Sequence, residues 1–138
     1  MTEQHAFSSK VLQEDCLDYT PFLSSVTLAR RRAARLVSEW GHPDIAGDVA
    51  LVVSELAGNA LLHGRVLGQL FRVQLILTAA AVRIEVGDAC GERRPEVRNP
   101  AQDEKFGRGM VIVDALATRW GVVPRTVGKT VWAEIDLR

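Results

Sequence analysis

The sequence predicts an α+β fold, a two-layer sandwich with helices packed on one face of a mixed, mostly antiparallel sheet. Three observations carry this. Apolar residues recur at helical spacing in the first half, at Val26, Ala29, Ala33, Leu36, Val37 and Trp40, and again at Ile45, Val49, Val52, Leu56 and Ala60. In the second half they alternate, as Phe71, Val73, Leu75 and Leu77, then Val82, Ile84 and Val86, then Val131, Ala133, Ile135 and Leu137. A short helical stretch separates the first strand pair from the last, which is the order of a helical layer on a largely antiparallel sheet.

Taken in order, Ser24-Ser25 reads as the start of the first helix, and Gly41 and Pro43 as its stop. Asp44 reads as the cap of a second helix that runs to about Leu62 and ends at Gly64. Two strands follow, joined by a short Ala-rich connection. From Asp88 to Lys105 the chain is charged and broken by Pro95 and Pro100, so it reads as one long loop, a length usually functional or disordered. Gly107-Arg-Gly109 then opens a short helix through Val113 to about Ala117. Arg119 to Val123 and Lys129 to Leu137 read as the closing strands.

With 138 residues, the chain is expected to form a single domain, 1–138, long enough to bury a core. Its 17 basic and 17 acidic side chains cancel, which gives no electrostatic case for a direct nucleic-acid partner. No apolar run reads as long enough to cross a membrane, and residues 1–10 read as a flexible polar leader without a signal-peptide core. These features predict a cytoplasmic protein with no membrane partner. Cys16 and Cys90 match no zinc or redox spacing.

The most informative segment is Ser54-Glu-Leu-Ala-Gly-Asn-Ala-Leu-Leu-His-Gly64. It sets Glu55 and Asn59 at i and i+4, on one face of an otherwise apolar helix and along the edge of its buried stripe. An unpaired carboxylate beside a core costs several kcal/mol as an order of magnitude, so it usually has a partner or a task. A metal ion carrying a polyphosphate supplies both: Asn offers a neutral oxygen ligand, and a Glu one turn earlier can orient or deprotonate a nucleophile. A surface Glu and a helix-packing Asn explain the pair equally well on its own.

The other motifs differ in weight. Gly128-Lys129-Thr130 suggests a P-loop, but Val123 stands where that motif needs its first glycine, and the tripeptide lies between two strands. Gly107-Arg108-Gly109 precedes a helix whose exposed N–H groups favour an anion, although a Gly-x-Gly also makes a hinge. Asp88 ends a strand; it either forms a turn through its side chain or accepts a bond from the exocyclic amine of a nucleobase. Arg30, Arg31, Arg32 and Arg35 are most simply the solvated face of the first helix. His63 has no Ser or Asp partner that would make a triad.

In that order, from Glu55 and Asn59 through Asp88, Gly107 and Gly109 to Thr130, the chain resembles the GHKL ATPase superfamily over roughly Val26 to Leu137. Within it, the chain is similar to the small bacterial anti-sigma-factor serine kinases and their regulatory relatives. The resemblance implies a Bergerat-type ATP-binding fold with ATP and Mg2+ as cofactors. It implies that Asn59 coordinates Mg2+ and that Glu55 is the general base. Asp88 would bind the adenine amine, Gly107, Arg108 and Gly109 would cradle the phosphates, Thr130 would stand near the adenine, and 89–106 would be an ATP lid. The family's Asp-x-Gly-x-Gly has become Asp88-Ala-Cys-Gly91-Glu here, which removes backbone freedom beside the base. The implied partners are a sigma factor and an anti-sigma-factor antagonist protein carrying the target serine, with the kinase a homodimer. A binding module that transfers no phosphate is the competing expectation.

Overall fold

The computed structural model describes residues 10–64, 69–88, 110–124 and 129–138. Its elements are β1 (Gln13–Tyr19), α1 (Leu23–Glu39), α2 (Pro43–Asn59), a π-helical turn (Ala60–Gly64), β2 (Phe71–Leu77), β3 (Ala81–Asp88), α3 (Val111–Leu116), β4 (Arg119–Pro124) and β5 (Lys129–Asp136). The strands form a five-stranded sheet in the order β1-β2-β3-β5-β4, and every pairing is antiparallel. The predicted α+β sandwich is present, and no parallel pair occurs among the described strands.

The core lies between the sheet and α2. Val49, Val52, Val53 and Leu56 of α2 are buried with Val73 and Leu75 of β2, Val82, Ile84 and Val86 of β3, and Val131, Ala133 and Ile135 of β5. Packed against α2, α1 contributes Ala29, Ala33 and Val37, two of them small enough for the helices to approach closely. The stretch Pro43–Leu62 is, by length and composition, apolar enough to cross a bilayer, contrary to the sequence expectation. In the fold that apolar surface is explained by burial, since α2 packs against both α1 and the sheet.

The helix ends differ from expectation in instructive ways. α1 begins at Leu23, not at Ser24-Ser25; Ser25 is buried in the first turn and shares a 2.7 Å hydrogen bond with Thr20. Its end is as expected: Gly41, at φ 101°, lets the N–H groups of Gly41 and His42 return to Ser38 and Val37. Pro43 opens α2 rather than closing α1, because a first-turn residue has no intrahelical acceptor for its N–H in any case. Asp44 therefore sits inside the first turn and makes no capping hydrogen bond, leaving it a favourable charge at the positive end of the helix.

β1 is absent from the sequence expectation. Its residues Gln-Glu-Asp-Cys-Leu-Asp-Tyr show no apolar alternation, because only Tyr19 is buried. Pairing with β2 makes the strand: Tyr19 stacks on Phe71 with centroids 5.5 Å apart, and Arg72 Nε donates to Asp18 at 2.7 Å. Arg32 of α1 adds a two-pronged pair with Asp15, at 2.7 and 2.9 Å. Charge along the exposed edge discourages further strand addition. Cys16 on this strand is a free, exposed thiol.

Candidate functional site

Glu55 and Asn59 occupy the last turn of α2, where the helix changes from α to π geometry at Ala60. Such a change often marks a functional position, because it re-aims the side chains around it. The π turn packs against β3, and α2 also packs against α3, so the helix end is fixed from two directions. Asn59 is only 8% exposed and Met110, immediately before α3, only 1%. Asn59 Nδ2 donates to Met110 Sδ at 3.4 Å, the one side-chain hydrogen bond of this carboxamide among the described residues. Glu55, one turn earlier, is half-buried and makes no ion pair among the described residues. A half-buried carboxylate at a helix end is of the type that serves as a general base.

The far end of the sheet carries the next group. Asp88 closes β3 opposite Phe71; its backbone is placed, while its side chain lies outside the described structure. Beside it, Gly87 pairs with Thr130 of β5. The approach is close enough to require glycine, since a Cβ at Gly87 would lie 2.9 Å from Thr130 Oγ1 and 3.2 Å from the Lys129 carbonyl. Thr130 is buried and alternates with Val131, Ala133 and Ile135, whose side chains enter the core. It therefore stands on the opposite face of the sheet, with Trp132 and Glu134, and meets Gly87 rather than Asn59. Gly107, Arg108 and Gly109, with 89–106, Cys90 and Gly128, lie outside the described residues, and so does the side chain of His63.

The donor set suits a cation that keeps much of its shell for a nucleotide. Asn59 would offer a neutral oxygen, and among the described residues no group of three or more His, Cys, Asp or Glu forms a metal cage. Mg2+ is typically bound this way, by one or two protein oxygens together with substrate phosphates. Sequence reasoning missed Met110 because β2 and β3 separate it from Asn59 along the chain; its position directly after the Gly-Arg-Gly motif was the available signal.

A central helix ending in a buried carboxamide, packed on an antiparallel sheet whose third strand ends in an aspartate, defines the class of GHKL-type ATP-binding domains. Residues 20–135 match the model of the histidine kinase-like ATPase domain, and the chain belongs to that family. It is thus an ATP-binding regulatory domain of a family whose activities are ATP-dependent and usually require Mg2+. No curated protein matches the chain.

Proposed function

We infer that the protein is a cytoplasmic, ATP-dependent serine protein kinase that, as a homodimer, phosphorylates a small anti-sigma-factor antagonist and/or sequesters a sigma factor, and so regulates transcription. One observation carries the catalytic part of this reading: Glu55, which makes no ion pair among the described residues, stands one helical turn before the buried Asn59. Phosphoryl transfer needs mainly positioning and charge neutralisation, so a small set of groups suffices. Asn59 would hold Mg2+ through its carboxamide oxygen; with the nucleotide bound, the cation neutralises charge on the phosphates. Glu55 would take the proton of the acceptor serine as the serine oxygen bonds to the γ-phosphorus and ADP departs. Asp88 would accept a bond from the adenine amine. Thr130 would support that end of the site through Gly87, and Gly107, Arg108 and Gly109 would receive the phosphates.

The altered segment after Asp88 favours a second reading, an ATP-regulated module that binds a sigma factor or antagonist without phosphorylating it. Glu55→Gln separates the two, because the amide keeps shape but accepts no proton. With labelled ATP, Mg2+ and antagonists encoded by the same genome, serine phosphorylation should fall by about 10^2- to 10^4-fold in the variant. ATP binding and sigma-factor capture should survive. A parent protein that binds both but phosphorylates no cognate antagonist would establish the binding module instead. The adenine assignment has its own check, since ATP at a hundredfold excess over Kd should stabilise the fold by about 2.7 kcal/mol and GTP by much less. Equal shifts with both nucleotides would remove the role given to Asp88.

A further inference from the structure

We propose that Met110 is a positioning residue whose thioether fixes the orientation of the Asn59 carboxamide and so decides which edge of Asn59 faces the nucleotide-bound cation. A carboxamide has two edges of nearly identical shape and opposite chemistry, an NH2 that donates and an oxygen that accepts. Packing by itself scarcely distinguishes them, yet only the oxygen can ligate a metal ion. A thioether sulfur accepts a hydrogen bond and cannot donate one. Against Met110 Sδ, 3.4 Å from Nδ2, only the NH2 edge is favourable; turning the amide over would set oxygen lone pairs against sulfur lone pairs. The trigonal geometry of the amide then places the oxygen on the other side, committed to the metal before the metal arrives.

The anchor is rigid enough to matter. Met110 is among the most buried residues of the chain, and its carbonyl accepts the Asp114 N–H at 2.8 Å in the first turn of α3. Because α3 also packs on α2, sulfur and carboxamide are held by elements of one core. A leucine at position 110 would fill similar volume but would leave the amide free to turn.

The inference rests on Asn59 being the metal ligand, so the experiment reads the two separately. Methionine occurs only at Met1 and Met110, so global replacement by norleucine changes one internal site, exchanging sulfur for a methylene at constant chain length. ATP affinity is measured with and without Mg2+ for the parent, the norleucine protein, Met110→Leu, Asn59→Ala and the double variant. The side-chain amide resonances of Asn59 are followed by NMR in the nucleotide-free protein. The gain in ATP affinity conferred by Mg2+ should shrink by about three- to tenfold in the norleucine protein and in Met110→Leu, the scale of one modest hydrogen bond. Metal-free affinity should be unchanged, the Asn59 amide resonances should move, and Met110→Leu should add nothing once Asn59 is alanine. Selenomethionine, which keeps the acceptor, should behave as the parent. An unchanged Mg2+ gain in the norleucine protein, or an equal loss in the Asn59→Ala background, would overturn the role of Met110. If Asn59→Ala itself retains the full Mg2+ gain, Asn59 is not the ligand and the proposal falls with it; unmoved amide resonances would instead refute the sulfur contact alone.

Discussion

On the helix-covered face of the sheet, Val82, Ile84 and Val86 of β3 stand opposite Ile135, Ala133 and Val131 of β5. On the other face, the intervening Arg83 and Glu85 stand opposite Glu134 and Trp132 of the same strands. The first set is held by exclusion of water and close packing, without direction. The second is a directed network. Arg83 donates to Glu85 at 2.7 Å and to Glu134 at 2.8 Å, and it lies over the Trp132 ring, 4.4 Å from the centroid. Arg119 closes the ladder, donating to Glu134 at 2.6 Å and to Asp136 at 3.0 and 3.1 Å. Gly121 permits this arrangement, because a Cβ there would meet the Trp132 ring at 2.9 to 3.0 Å. Long, mutually paired side chains bury even Glu134, at 5% exposure, on a face that carries none of the described helices. A sheet can thus be apolar on one face and charge-laced on the other, provided that each buried charge has its counter-charge.

Truncation on the helix side should cost most. Leu56→Ala removes a fully buried side chain between α2 and the sheet, and a loss of about 2–5 kcal/mol is expected in urea unfolding. The charged face should respond to loss of a partner, not to loss of polarity as such. Glu134→Ala removes one of the carboxylates that pair with the buried Arg83, Glu85 being another, and should cost about 3 kcal/mol, the lower end for breaking a buried pair. Replacing both, as Arg83→Met with Glu134→Leu, should recover most of that loss; a double variant as unstable as the single one would show that the ladder itself stabilises the fold.

The smallest effect lies where the two kinds of interaction meet, at Tyr19. Burial pushes the Tyr19 phenol above its ordinary 10.0, with Arg32 lowering it and Asp15 raising it. The folded protein therefore holds that proton more tightly than the unfolded chain. Its contribution to stability is complete below about pH 10 and is lost as pH rises through the raised folded value. Tyr19→Phe should accordingly flatten the alkaline limb of stability while changing little at neutral pH, as read from urea midpoints across that range.

What the sequence determined by itself is whatever one face of an element spells out. The period of α1 and α2 and the alternation of β2, β3 and β5 are legible because one side of each is apolar, and the pairing of Glu55 with Asn59 is legible because four residues make one helical turn. Tertiary structure decided the rest. β1 became a strand only by meeting Arg72, Phe71 and Arg32, since its own residues are too polar to announce it. Pro43 became a helix start only when the chain turned at Gly41. Thr130 was placed on the face away from Asn59 by the register that sets it against Gly87, and Met110 was brought onto Asn59 by the packing of α3 on α2. Local periodicity records which side of an element is buried; which distant residue buries it is a contact between segments, and no local pattern encodes its partner.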